Sequence, residues 1–161
     1  MTDLNTLTPS QDERVVAALS HVSALLPMMG VIAPIVIWVT QREKSRYVAF
    51  QALQALVYQL SMIAAWIIGM GFYMCSFLVT FATIPFASSA GASQYADPFL
   101  GMAFIIPMLV FGAIFVGGFF FVVYGVIGAI MAFQGKPFRY IIIGSRVERF
   151  MGQKLNTAAN Q

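Results

Sequence analysis

Charge is what this chain has least of. Of its 161 residues, 9% are charged and 60% are hydrophobic, whereas a soluble domain carries about a quarter charged residues. Between Arg46 and Lys136 the only charged side chain is Asp97. That run is too long and too apolar for the core of a small soluble domain, so the chain reads as an integral membrane protein whose first partner is the lipid bilayer. The Lys and Arg residues give a net charge of +3. They sit near the ends of apolar tracts, where basic side chains set orientation and meet anionic head groups, so no nucleic-acid surface is expected. Cys75 is the only cysteine and His21 the only histidine. An intramolecular disulfide, a redox pair, a thiolate metal site and a zinc site with ligand spacing are therefore all excluded as readings. Gly-x-Ser-x-Gly, a Walker loop, a dinucleotide fingerprint and His-Glu-x-x-His are missing too, so the expectation is no catalytic residue, no cofactor and no metal.

What is present is helical punctuation around long apolar tracts. Residues 1–11 are polar and aperiodic and read as a tail. Ser10 with Glu13 three positions on has the spacing of a capping box, which starts the first helix near Gln11 or Asp12. Residues 12–149 read as one helical membrane domain and 150–161 as a polar C-terminal tail. Within the domain, residues 15–39 are uncharged, long enough to span the bilayer and too long for a signal-peptide core, but they are interrupted by Pro27, Gly30 and Pro34. The segment is either a kinked span, the favoured reading, or two half-helices forming a re-entrant hairpin. Trp38 and the loop 41–46, with Arg42, Lys44 and Arg46, mark a cytoplasmic interface.

Residues 48–86 are again uncharged and, as one helix, would be about 58 Å long, so their first turns are expected at the interface and 60–84 deeper, with Gly69 and Gly71 as bend points. Residues 85–98 contain no Lys or Arg and read as an external loop, with Asp97 as the N-cap of the next helix. A third tract, 99–133, ends at Gly135-Lys136-Pro137, and the basic residues beyond it place the C-terminus in the cytoplasm. The fold class expected is an all-α polytopic membrane bundle of three long helical segments at the cell membrane. The side of the N-terminus stays open: outside if the first segment spans, inside if it re-enters.

One stretch organises the rest. Gln51, Gln54, Tyr58 and Ser61 recur at spacings of three, four and three, which puts amides and hydroxyls on one face of an otherwise lipid-soluble helix. Such groups are costly in hydrocarbon without partners, so the face should meet protein. His21, flanked by Ser20 and Ser23, is the natural partner of the Gln54/Tyr58 face. A neutral imidazole there would lock two helices, and the competing reading is proton transfer or ligand binding. In the third tract Gly118, Gly125, Gly128 and Ala132 form a small-residue face on which another helix can close.

The combination of Asp12-Glu13-Arg14, Ala17-Ala18-Leu19, His21, Pro34 with Trp38, Gln51-Ala52-Leu53-Gln54-Ala55-Leu56, Tyr58-Gln59 and Gly135 before Arg139-Tyr140 resembles a family of small bacterial membrane proteins of unknown function. That family is similar to the twenty-kilodalton subunit of the chloroplast inner-envelope (Tic) translocon. The resemblance covers residues 12–146 and implies a helical membrane component of three or four spans; it names a fold and no reaction. The function expected is that of a non-enzymatic helix-packing subunit or scaffold, with other membrane proteins or further copies of itself as partners. The alternative is a small channel or transporter, with protein translocation as one such task, in which His21, Gln51, Gln54 and Tyr58 line a wet path through an oligomer. The sequence names neither the partner, nor a transported species, nor the oligomeric state.

Overall fold

The computed structural model describes residues 8–26, 29–89, 98–136 and 138–159, with side chains described except at 86–89, 98–103 and 153–159. All its elements are helices: α1 (Gln11–Val22), a single 3-10 turn (Ser23–Leu25), α2 (Ile32–Gln41), α3 (Arg46–Ser89), α4 (Pro98–Phe133) and α5 (Ile143–Ala159). Pro27 and Asp97, to which the sequence assigns a break and an N-cap, lie outside the described residues.

The starts of α1 and α3 and the end of α4 have local causes. At the start of α1 the Ser10 hydroxyl accepts from the Glu13 N–H while the Glu13 carboxylate accepts from the Ser10 N–H, a full capping box. The carboxyl of Glu13 is held below its ordinary pKa, first by the Ser45 hydroxyl and then by the Ser10 backbone. Ser45 in turn caps α3 by accepting from Val48 N–H at 3.3 Å. α4 ends in a Schellman motif: Lys136 N–H donates to the Met131 carbonyl and Gly135 N–H to that of Ala132, with Gly135 at φ 72°.

The tract 15–39 does not form one kinked span. α1 and α2, of 12 and 10 residues, are separate helices that pack on each other. Pro34 is the third residue of α2, where a missing N–H belongs to the orphan set anyway, so it helps to start a helix here instead of bending one. Gly30 is required in the bend, since a Cβ would collide with the carbonyl oxygens of Ser23 and Leu26. Among the described residues two helices, the second and third of the three expected segments, are long and apolar enough to cross a membrane: Arg46–Pro85 and Phe104–Phe133. α3 runs through Gly69 and Gly71 without interruption, and α5 continues to Ala159, well past residue 149.

The chain divides into two compact units, Met1–Met62 with Phe121–Gln161, and Ile63–Phe120. In the first, Ala17, Ala18 and Ala132 pack with Tyr47, and Phe50, Leu53 and Val147 pack with Trp38 and Met151, which seats one face of α5 on the first turns of α3. In the second, α3 and α4 meet through Tyr73 and Phe111, whose rings lie 5.6 Å apart, and at Gly69, where a Cβ would stand 3.0 Å from Ile114. The most apolar stretch of α3 contains no buried residue, and that of α4 is only 6% buried. A core helix of a soluble protein would be covered; these helices are apolar outward, as lipid demands.

Candidate functional site

The first unit encloses a polar cluster. His21 in α1, Gln51, Gln54 and Tyr58 in α3, and the extended segment Phe138 to Tyr140 after α4 meet there, with these side chains buried except that of Arg139. Gln54 acts as a clamp on backbone: its amide nitrogen donates to the Phe138 carbonyl at 3.1 Å and its amide oxygen accepts from Tyr140 N–H at 3.1 Å. One side chain thus supplies the donor and acceptor that a neighbouring strand would offer. Gln51 Nε2 donates to the same Phe138 carbonyl at 3.3 Å, which turns its Oε1 toward His21 Nε2 at 3.1 Å.

That orientation determines the histidine. A carbonyl only accepts, so the Gln51 nitrogen must face Phe138; its oxygen then needs a donor, and His21 carries its proton on Nε2. Nδ1 is left as acceptor for the Tyr140 hydroxyl, 3.0 Å away. Burial lowers the His21 pKa from 6.5 to about 4, only partly opposed by the Gln51 bond, so the imidazole is neutral. Burial likewise pushes the Tyr140 phenol well above its ordinary value. Tyr58 donates to the Phe121 carbonyl at 2.7 Å and stacks on Tyr140 with ring centroids 4.2 Å apart.

The expected stripe therefore divides. Gln51, Gln54 and Tyr58 join the cluster, while Ser61 is exposed and returns its hydroxyl to the Val57 carbonyl of its own helix. Gln59, absent from the expected set, is buried and donates to the Ser20 carbonyl and the Ser23 hydroxyl, the residues flanking His21. Phe138 and Tyr140 were also missed. The signal for them was the alternation Phe-Arg-Tyr after the helix stop, in which Arg139 faces out to pair with Glu148 at 3.2 Å.

The small-residue face is filled from within the chain. A Cβ on Gly125 would stand 3.2 Å from Ala24, and one on Gly128 would meet Phe138 at 2.9 Å and both His21 and Tyr140 at 3.1 Å. Ala132 is fully buried and its carbonyl accepts from the Tyr47 hydroxyl. Gly118, by contrast, has nothing within 4 Å.

Chemically, this arrangement holds elements together. No buried side-chain nitrogen or oxygen lacks a partner among the described residues, so each polar atom of the cluster is already engaged within the chain. No group of three or more His, Cys, Asp or Glu side chains placed to hold a metal occurs among the described residues.

Compared with known families, residues 12–147 match the sequence model of the MamF/MmsF family, the magnetosome magnetite crystal formation proteins. No curated protein and no solved structure matches the chain. The match agrees with the expectation of a family of small bacterial membrane proteins; no likeness to the chloroplast translocon subunit accompanies it, and protein translocation has no support.

Proposed function

The chain belongs to the MamF/MmsF family of magnetosome magnetite crystal formation proteins, and from that premise we propose that it is a non-enzymatic scaffold of the magnetosome membrane, a helix-packing subunit that organises other membrane proteins where mineral forms. The observation that carries this reading is the division of labour between its surfaces. The polar groups that a pore would need, His21, Gln51, Gln54 and Tyr58, are consumed in holding the chain's own elements. The lengths of α3 and α4 that remain uncovered are apolar, with Phe115 and Leu78 more than 60% exposed.

Two further points support a scaffold. Helices of 40 and 30 residues, Arg46–Pro85 and Phe104–Phe133, measure about 60 and 45 Å against a hydrocarbon core of about 30 Å; α5 covers the first turns of α3, and tilt or a neighbouring protein can absorb the rest. In addition, the six Asp and Glu residues are scattered along the sequence, at 3, 12, 13, 43, 97 and 148. Among the described residues no three or more His, Cys, Asp or Glu side chains are placed to hold a metal ion, which favours a role in crystal formation that runs through the proteins this chain assembles.

The test is photo-crosslinking in native membranes from probes at Phe115 and Leu78, with adducts identified by mass spectrometry. Protein adducts, either a second copy or other membrane proteins, are expected; adducts to lipid alone refute the scaffold. A probe at Gln54 would report only on this chain, because that position is buried. Liposomes containing the purified protein should pass no ions or small solutes beyond an empty control, and flux would favour a pore instead.

A further inference from the structure

The hairpin of α1 and α2 has a sided construction. Its inner face carries Ser20, His21 and Ser23, all bonded within the unit, whereas its outer face exposes Leu19, Leu25, Leu26, Met29, Ile32 and Val36, with Leu26 at 62% and Met29 at 67% near the bend. So many large apolar side chains exposed on one short hairpin are unsuited to water. Its mouth is charged: Arg14 lies against Gly135 at the end of α4, Glu13 is held by Ser45 before α3, and Tyr47 bonds to Ala132. The start of α1, the turn after α2, the start of α3 and the end of α4 therefore share one level, and Arg42, Glu43 and Lys44 lie in that turn.

Depth follows from length. Helices of 12 and 10 residues reach about 18 and 15 Å, roughly half of a hydrocarbon core of about 30 Å. The bend is equipped to sit there: Leu26 N–H donates to Ser23, Gly30 N–H to Leu26 and Ile32 N–H to Met29, while the Ser23 hydroxyl closes on Ser20. Paired N–H groups lower the cost of non-helical backbone at membrane depth, and Gly30 at the bend is itself buried against protein. Within its own unit the hairpin packs on the first turns of α3 and the last turns of α4 through His21, Ala24 and the bonds of Gln59, and these belong to the two helices apolar enough to cross, which makes lipid its natural surrounding.

We propose that α1 and α2 form a wedge set into a single leaflet, and that the protein therefore favours membrane convex on that side. All nine Lys and Arg residues fall outside residues 63–120, so the charged mouth is cytoplasmic by the positive-inside rule, and the wedge enlarges the cytoplasmic leaflet. Inserted volume confined to one leaflet makes binding sensitive to curvature. The proposal is independent of whether the chain binds a protein partner.

The test uses the full chain in liposomes with the native exposed thiol removed (Cys75→Ala). Single thiols are introduced at the mouth (Asp12→Cys, Glu43→Cys) and at the bend (Leu26→Cys, Met29→Cys). An impermeant maleimide should label both mouth positions from the same side and the bend from neither, and a fluorophore at the bend should be quenched by spin labels along the lipid chains. Labelling of Asp12→Cys and Glu43→Cys from opposite faces, or of the bend from either aqueous phase, overturns the wedge. In small and large vesicles, the surface density of molecules oriented mouth-outward should rise as diameter falls. That rise should be reduced by combining Leu19→Ala, Leu25→Ala, Leu26→Ala and Met29→Ala, with Tyr140 amide protection confirming that the variant is folded. Equal density at all diameters, or a full rise in the folded variant, overturns the curvature preference.

Discussion

Replacing Gln54 by Leu tests the polar cluster at its most demanding point. The two side chains are of similar bulk, so packing is largely kept and the effect is one of hydrogen bonding. Gln54 makes two bonds, to the Phe138 carbonyl and from the Tyr140 N–H. In Gln54→Leu the Phe138 carbonyl keeps Gln51 Nε2 at 3.3 Å, but the Tyr140 N–H loses its acceptor in a site where Tyr140 is 2% exposed. A buried donor left unpaired costs about 1–3 kcal/mol. Taking about 2 kcal/mol, the amide of Tyr140 should exchange with solvent deuterium roughly 30-fold faster. Hydrogen exchange read by mass spectrometry on a peptide covering 138–142, in mild detergent, measures this directly. Gln51→Leu is the control: it leaves the Tyr140 N–H bond in place and takes the acceptor from His21 instead, so its Tyr140 amide should stay protected. Unchanged exchange in Gln54→Leu, or equal acceleration in both variants, would refute the reasoning, since the clamp would then not be what holds this segment.

Acid should loosen the same unit. The folded-state pKa of His21 is lowered from 6.5 to about 4, so the unfolded chain binds the extra proton first; the contribution of His21 is flat above pH 6.5 and falls as pH drops toward 4 by up to about 3 kcal/mol. Below the ordinary value of 4.5, Glu13, also held low, adds a loss of its own. Thermal unfolding in detergent against pH should show the slope between pH 6.5 and 4.5, and His21→Gln should remove that part. Gly128→Ala, whose Cβ would press on Phe138, His21 and Tyr140, should destabilise by about 1–3 kcal/mol, whereas Gly118→Ala, with open space around it, should be neutral or stabilising by up to about 1 kcal/mol in the same melts. Gly135→Ala must place a Cβ at φ 72° and against Arg14, and should lower the melting temperature by the equivalent of about 1–2 kcal/mol or more. Arg139→Ala removes only an exposed ion pair with Glu148 and should change stability by less than about 1 kcal/mol.

Much of this molecule was legible in the order of its residues, because the rules involved act over a few positions. Scarcity of charge assigns the solvent, Ser10 with Glu13 starts α1, Gly135 stops α4, and the spacing of Gln51, Gln54 and Tyr58 puts amides on one face. Local rules could not choose between a kinked span and a hairpin at residues 15–39. Pro34 is compatible with either, and the choice came from the bonds of His21 and Gln59, which hold α1 against α3 while Gly30 allows the sharp bend. Nor could they say what meets the amide face. Its main partner is backbone 84 to 87 residues away along the chain, in a segment with no helical period to announce it. The glycine spacing likewise marked a place of close approach without naming the occupant, and three of its four members are closed by the chain itself while Gly118 is not. Sequence alone determined that polar groups inside an apolar chain must find partners. Which partners they find was decided by tertiary structure, since only the folded arrangement brings distant donors and acceptors within hydrogen-bond reach, away from water.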